Sequence, residues 1–142
     1  MCIRDSDEVT RESLPQVSEN AIQQAYLVMD AHIDALNSRD ALAIAKTLHF
    51  PHHRLSGASW KTWETADHYL KDFLERAGSN WQRSTFKDIK VVDSSSSKVH
   101  MDVRVCRYDS NGTQILSFRS LWVIVEVDGV WAAKVRSSFA PS

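Results

Sequence analysis

Apolar and polar residues alternate along the last third of the chain, and this pattern predicts three successive β-strands at residues 98–108, 113–127 and 130–139. An Asn-Gly pair at 111–112 and an Asp-Gly pair at 128–129 separate these strands. Such pairs favour tight type I′ turns, because both central residues of that turn need a positive φ. The pattern therefore predicts an antiparallel meander of three strands.

Two-residue turns would also determine which residues lie opposite one another. The expected pairs are Tyr108–Ile115, Arg104–Arg119, Met101–Trp122, Val127–Val130, Trp122–Val135 and Phe118–Phe139. The inner face would then carry an apolar row of Val99, Met101, Val103, Val105, Leu116, Phe118, Ser120, Trp122, Ile124, Trp131, Ala133, Val135 and Phe139. The outer face would be mixed, with His100, Asp102, Arg104, Cys106, Ser117, Arg119, Leu121, Val123, Val125, Lys134 and Arg136. A slip of one residue would exchange the two faces.

The first half of the chain has the three- to four-residue apolar spacing that is typical of helices. This spacing and the capping residues predict helices from Ser18 to about Asn37, from the N-cap Asp40 to Pro51, and from the N-cap Thr65 to Gly78. Two short strands are expected near residues 52–57 and 60–64, and a first long strand at 81–93. We therefore predict a single α+β domain at residues 19–142, in which a curved antiparallel sheet wraps around three helices.

Residues 1–18 show no apolar period, and we predict a disordered lead-in. Residues 1–6 also match the translation of a transposon end used in sequencing libraries, so we expect an adapter artefact in a metagenomic sequence. Without Cys2, Cys106 stands alone and forms no internal disulfide.

Composition narrows the classes of partner that the chain could have. There are 17 Lys and Arg residues against 18 Asp and Glu residues, a balance that argues against binding to nucleic acid or to an anionic membrane. No apolar run approaches membrane-spanning length. We predict a cytoplasmic protein with no membrane association.

The order of these elements resembles the NTF2-like superfamily, and in particular its SnoaL-like group. The resemblance rests also on the segments Ala-Leu-Asn-Ser-Arg-Asp at 35–40 and Asp-Gly-Val-Trp at 128–131, and it covers about residues 21–139. It implies an α+β cone in which three N-terminal helices pack on a curved antiparallel sheet with a short hairpin. Members include ketosteroid isomerases, polyketide cyclases, epoxide hydrolases, dehydratases and proteins that only bind or assemble, so the fold leaves the function open.

Matching the chain to a ketosteroid isomerase tests one of these activities. His32 falls where that family has its catalytic tyrosine, and Ser56 falls where it has the general-base carboxylate. Ser120 falls where it has the protonated aspartate. A serine without a partner cannot serve as a base, so isomerase chemistry of that kind is disfavoured. The Asp-Arg-Asp set of the related epoxide hydrolases is not found either.

The densest polar cluster is the segment His-Phe-Pro-His-His-Arg at 49–54. Strand alternation sends His52, Arg54 and Ser56 to one side, which we take as the interior. A buried Arg54 needs a carboxylate or an anionic ligand, so it forms either a structural clamp with Asp67 or part of a binding site. Neighbouring residues on a strand face opposite ways, which argues against a metal site, and we expect neither metal nor cofactor.

The leading hypothesis is that the cone binds a small apolar or aromatic molecule bearing a polar or anionic group. If the protein is an enzyme, it would perform acid–base chemistry of the isomerase, cyclase or hydratase type. His32, His52 and Arg54 would contact the polar group, and the remaining ligand-binding residues would be Ser56, Tyr69, Phe118, Ser120, Trp122 and Trp131. The alternative for His32, Trp122 and Trp131, and the one that we favour, is that they are core residues.

The alternative is a non-catalytic homodimeric accessory domain whose cone is filled by its own side chains. For either hypothesis we predict a homodimer that pairs through the outer sheet face, at Arg104, Arg119, Leu121 and Val123.

Overall fold

The computed structural model describes residues 8–140, with side chains described from residue 19 onward. Its helices are α1 (Glu8–Asn37), α2 (Ala41–Ala45) and α3 (Ala66–Ala77). Its strands are β1 (Leu48–Ser56), β2 (Ser59–Trp63), β3 (Arg83–Ser94), β4 (Lys98–Tyr108), β5 (Gln114–Val127) and β6 (Val130–Ser138). Within residues 8–140, no helix combines the length and the apolarity needed to cross a lipid bilayer.

The six described strands form one mixed sheet in the order β2-β1-β6-β5-β4-β3. All neighbours pair antiparallel except β1 and β6, which run parallel. The α+β class is therefore confirmed, but the fully antiparallel sheet is wrong. The short hairpin β1–β2 is not a separate feature, because β1 extends the main sheet along β6.

For two of the three helices, the structure places an end at a different residue from the one predicted. α1 begins at Glu8, so the N-cap predicted at Ser18 is wrong and residues 8–18 are helical, while residues 1–7 lie outside the described part. The Asp40 carboxylate accepts a hydrogen bond from the Ala43 N–H, as an N-cap should, but α2 ends at Ala45 and Pro51 lies within β1.

The third helix matches its prediction at both ends. The Thr65 hydroxyl accepts a hydrogen bond from the His68 N–H at the start of α3, and Gly78 ends the helix with a φ of 85°. Tyr69 and Phe73 are buried, whereas Leu74 is 36% exposed.

The meander has the predicted strands and part of the predicted register. The pairs Met101–Trp122, Arg104–Arg119 and Val127–Val130 are confirmed. The Arg119 guanidinium also donates to the Asp102 carboxylate at 2.7 Å on the outer face. Near the first turn Tyr108 lies opposite Gln114 rather than Ile115.

A bulge in β6 changes the register of the second hairpin. Ile124 pairs with Ala133 and Val123 pairs with Val135, so Lys134 is an extra residue in the β6 ladder. Beyond the bulge Trp122 lies opposite Arg136, not Val135. Arg136 is therefore buried in the interior, and its assignment to the outer face is wrong.

The predicted pairing at the end of β6 is wrong for the same reason. Phe139 is 77% exposed and does not pair with Phe118, because β5 pairs Ser120 with Ser138 at this level.

The core lies between the helices and the concave face of the sheet. Fully buried side chains from α1 and the central strands include Met29, Val99, Met101, Val103 and Ile124. Tyr69 and Phe73 bring α3 into the same cluster. The apolar row of β4 and β5 thus faces the helices, as alternation predicts.

Candidate functional site

A cavity lies inside the cone, between α1, α3 and the inner face of the sheet. It is lined by His32, Ile33, Leu36, Arg54, Tyr69, Phe73, Arg76, Ser84, Phe86, Val105, Arg107, Phe118, Ser120, Trp122, Arg136 and Ser138. About 400 Å³ of it is free of protein atoms when its open mouth is included, but the centre of a water-sized molecule reaches only about 30 Å³. The space that a molecule can enter without movement of the wall is therefore small.

Four arginines from different elements converge on this cavity. Arg54 comes from β1, Arg76 from α3, Arg107 from β4 and Arg136 from β6. Arg54, Arg107 and Arg136 are 4%, 8% and 6% exposed, respectively, which is unusual for a charged residue. The interior of the cone is therefore strongly cationic.

Burial weakens the charged form of these guanidinium groups, and neighbouring arginines weaken it further. Loss of hydration, followed by the charge of Arg76, lowers the pKa of Arg54 and of Arg107 to about 10. Burial also lowers the pKa of Arg136. All three groups still carry their charge at neutral pH.

Aromatic side chains surround two of these arginines. Arg136 donates to the Tyr69 hydroxyl at 2.6 Å, and its Cζ lies 4.9 Å from the centre of the Trp122 ring. Arg107 has its Cζ 5.2 Å from the Phe73 ring and 5.0 Å from the Phe118 ring. These cation–π contacts offset part of the cost of burial.

Asp72 on α3 is the carboxylate nearest to the cluster, and it is already fully used. It accepts hydrogen bonds from Lys61 Nζ at 2.8 Å, Arg76 Nε at 3.0 Å and Trp63 Nε1 at 3.2 Å. Burial acts to raise the pKa of Asp72, but the hydrogen bonds from Lys61 and Arg76 bring it below its usual value. Asp72 is therefore an ionised acceptor that pairs with both Arg76 and Lys61.

The structural clamp predicted between Arg54 and Asp67 does not form. Asp67 is exposed on the first turn of α3, and no ion pair joins Arg54 to any carboxylate in the part of the chain with described side chains. The clamp is therefore wrong, because Asp67 lies on the exposed side of α3, whereas Tyr69 on the same helix faces the cavity.

His32 lies on the cavity wall and is held in one tautomer. The Thr47 hydroxyl donates to the Ile44 carbonyl at 2.8 Å, so its oxygen accepts from His32 Nδ1, also at 2.8 Å. The proton on Nδ1 leaves Nε2 as an acceptor. Burial, followed by the charge of Arg136, lowers the pKa of His32 to about 3, so this imidazole is neutral at physiological pH.

His52 is fully buried behind the cavity, beside Trp63 and Tyr69. Its Nδ1 donates to the Ala133 carbonyl at 3.1 Å. Burial, followed by the charge of Arg136, lowers the pKa of His52 to about 2. This histidine is a neutral packing residue in the geometry of the structure.

The remaining predicted site residues separate into two groups. Tyr69, Phe118, Ser120 and Trp122 lie on the cavity wall with His32 and Arg54, and their roles in binding remain predictions. Ser56 instead donates to the Ala140 carbonyl at 3.1 Å, and Trp131 lines a separate shallow groove beside α1 and α2.

The histidine-rich segment does not gather into a metal site. His49 bonds the Val125 carbonyl at 3.0 Å, and His53 bonds the Thr62 hydroxyl at 2.9 Å, so each ring already has a different partner. Among the residues whose side chains are described, no three His, Cys, Asp or Glu residues come close enough together to hold a metal ion.

Sequence reasoning missed Arg76, Arg107 and Arg136 as cavity residues. Arg107 could have been found, because it continues the inward alternation of Val103 and Val105 on β4. Arg136 could not, because its orientation depends on the bulge at Lys134.

A long helix and a short one packed with a third helix on a strongly curved mixed sheet is the NTF2-like fold. Solved structures of that class are similar to this chain along most of its length, so the predicted fold is confirmed.

Three solved structures illustrate the similarity. An NTF-2-like protein of unknown function from Shewanella oneidensis MR-1 matches with a TM-score of 0.63 at 13% identity, over 84% of this chain and 99% of that chain. A scytalone dehydratase candidate from Novosphingobium aromaticivorans DSM 12444 matches with a TM-score of 0.63 at 14% identity, over 88% of this chain and 87% of that chain. A polyketide cyclase candidate from Xanthomonas campestris pv. campestris matches with a TM-score of 0.55 at 18% identity, over 84% of this chain and 91% of that chain.

At these identities the similarity shows the fold alone. No protein-family model matches the sequence, and no curated protein matches it.

Proposed function

We propose that this protein binds a small apolar or aromatic molecule with a polar end inside the cone. The observation that carries the proposal is the composition of the cavity wall. Phe73, Phe86, Phe118 and Trp122 provide apolar and aromatic surface, while buried nitrogens of the wall have no hydrogen-bond partner in the described part of the chain. Buried polar groups are normally satisfied, so unsatisfied donors beside an aromatic wall favour a ligand that supplies the acceptors.

The size of the cavity limits the ligand. The space that the centre of a water-sized molecule reaches, about 30 Å³, is well below the roughly 300–1,000 Å³ of ordinary small-molecule sites, so only a small part of a ligand fits inside without movement of the wall. We therefore propose a ligand of about one ring whose polar end enters first. Two proteins of the same fold are named as candidates for a polyketide cyclase and a scytalone dehydratase, which supports a cone that takes small organic molecules.

Binding is better supported than turnover. A general base works best when its pKa is near the working pH, but the pKa of His32 is about 3. His32 Nε2 is consequently suited to accept a hydrogen bond from a ligand hydroxyl or amide, and poorly suited to remove a proton from carbon.

The test is a thermal-shift screen of single-ring compounds, charged and neutral, against the wild type and two variants. Ser120→Leu fills the cavity from β5, and Ser117→Leu is its control on the outer face of the same strand. We expect at least one compound to raise the melting temperature of the wild type and of Ser117→Leu, but not of a folded Ser120→Leu. A full panel without any shift in the wild type would contradict the proposal.

A second candidate is a non-catalytic homodimeric accessory domain, and the narrow enclosed volume favours it. We propose that pairing would use the outer sheet face, where Leu121 and Val123 are half-buried beside the Arg119–Asp102 ion pair. Such a dimer is compatible with ligand binding, because the cavity lies on the other face of the sheet.

A further inference from the structure

We propose that the polar end of the ligand is an oxyanion, with a carboxylate as the best fit, bound by Arg54, Arg107 and Arg136. This inference rests on the proposed function and names the chemical class that the cavity selects. It begins with the charges on the cavity wall, which carries four arginines and, within the part of the chain whose side chains are described, no Asp or Glu.

The carboxylate nearby cannot balance these charges. Asp72 is paired with Arg76 at 3.0 Å and with Lys61 at 2.8 Å, so it already faces two cations. Arg54, Arg107 and Arg136 have no carboxylate within 4 Å among residues 19–140. Buried charges are normally paired, and an unpaired one is costly.

The unsatisfied atoms on the cavity wall are all hydrogen-bond donors. Arg54 Nη2, Arg76 Nη2, Arg107 Nε and Trp122 Nε1 are buried and have no acceptor in the described region. A carboxylate offers about four lone-pair positions and a negative charge, whereas an amide or ketone oxygen offers two and no charge. The donors and the charge therefore both select an anion over a neutral carbonyl compound.

Aromatic contacts do not remove the need for an anion. Phe73 and Phe118 lie on Arg107, and Trp122 and Tyr69 lie on Arg136. Ring faces stabilise a cation, but they accept no conventional N–H hydrogen bond and carry no net charge. The same rings provide the apolar wall for the body of the ligand.

The small accessible space of the cavity favours a small anionic group. The centre of a water-sized molecule reaches only about 30 Å³ of it, and a planar carboxylate with two oxygens needs less room there than a tetrahedral phosphate with four. We therefore place the carboxylate among the arginines and the ring of the ligand toward the mouth.

Calorimetric titration of the full chain with benzoate and benzamide tests the charge, because the two compounds have nearly the same shape. We expect benzoate to bind at least about 30-fold more tightly than benzamide, the size of effect found for buried charge partners. Acetate and inorganic phosphate, titrated separately, distinguish a carboxylate site from a general oxyanion site. Tighter binding of phosphate than of benzoate would overturn the carboxylate assignment.

Arg107→Met and Arg104→Met form the matched pair of variants, because both lie on β4 but on opposite faces. Arg107→Met removes a buried unpaired charge, so we expect a higher melting temperature without ligand and a loss of benzoate binding of about 30-fold or more. Arg104→Met should bind benzoate like the wild type. An arginine with a purely structural role would give a lower melting temperature in Arg107→Met.

The results separate this inference from the function on which it rests. Equal binding of benzoate and benzamide, or unchanged benzoate binding by Arg107→Met, would overturn the anion assignment and leave a cone that binds neutral ligands. If no compound binds, charged or neutral, both the anion assignment and the proposed function are overturned.

Discussion

His32 and His52 show how the interior of the cone fixes the protonation of single residues. Both imidazoles are buried beside Arg136, and the pKa values of about 3 and 2 follow from lost hydration and from that positive charge. Each ring has a defined tautomer because Nδ1 donates to Thr47 or to the Ala133 carbonyl. Neutral rings next to buried cations avoid further repulsion.

The pH dependence of stability should follow from these two histidines. In the unfolded chain both have a pKa near 6.5, so below that pH the unfolded state binds more protons than the folded state. Stability should therefore be full above about pH 6.5 and fall toward acid pH, by up to about 1.4 kcal/mol per pH unit for each histidine. Urea unfolding between pH 4.5 and 8 measures this slope.

His32→Asn is the informative variant, because an amide can still donate to Thr47 but does not titrate. Its stability should fall less steeply with acid than that of the wild type. His100→Asn, on the outer sheet face, should keep the slope of the wild type. An equally steep slope in His32→Asn would contradict the assignment of a neutral His32.

The sequence predicted part of the site at the scale of residues. Alternation along β1 correctly placed His52, Arg54 and Ser56 on the buried side. It could not show that Ser56 bonds Ala140 or that His52 lies behind Tyr69, because those contacts join residues that are distant in the chain. Nor could it exclude the Asp67 clamp, which depends on how α3 is rotated against the sheet.

At the scale of elements, Asp72 ties α3 to the short strand β2. It accepts from Arg76 on its own helix and from Lys61 and Trp63 on β2. The side chain of Asp72 is 13% exposed, so these bonds are partly shielded from water. α3 carries Tyr69, Phe73 and Arg76, and Asp72 therefore holds one wall of the cavity in place.

Asp72→Asn should destabilise the protein by about 2–4 kcal/mol, because it removes a charge that three donors share in a partly buried setting. Denaturant unfolding at neutral pH measures the change. Asp88→Asn, which weakens the solvent-exposed pair with Arg104, is the control and should cost much less. Equal losses in the two variants would contradict the proposed role of Asp72.

Local patterns predicted the strands of the meander but not the bulge within β6. The turns at 111–112 and 128–129 can be recognised in the sequence, because Asn-Gly and Asp-Gly pairs favour tight hairpin turns. The segment Ala132–Lys134 has no such signal, and its irregularity is matched by one in β1, where the Pro51 carbonyl accepts from Lys134 Nζ at 2.9 Å. The parallel pairing of β1 with β6 thus sets the register that turns Arg136 inward.

At the scale of the whole molecule, the two faces of the sheet have different uses. The inner face forms the core and the cationic cavity, while the outer face presents half-buried apolar residues among charges. The alternation of apolar and polar residues predicted this division, because only the apolar face of a curved sheet can pack on the helices. The parallel edge of the sheet was missed, since it joins β1 to the last strand of the chain.

The proposed dimer can be measured directly by sedimentation equilibrium. We expect the wild type to show twice the mass of the chain at micromolar concentration. Leu121→Glu combined with Val123→Glu should give a monomer, because charges would be buried at the interface. Leu42→Glu, at an exposed position on α2, should remain dimeric. A monomeric wild type would contradict the sheet-face interface.

A crystal structure of the protein grown with benzoate would show whether the buried arginines of the cone bind an anion. We predict that the carboxylate lies inside the cone, within hydrogen-bond distance of Arg107 Nε or Arg54 Nη2. A structure in which these two nitrogens bind a carboxylate of the chain itself, with benzoate absent from the cone, would contradict it.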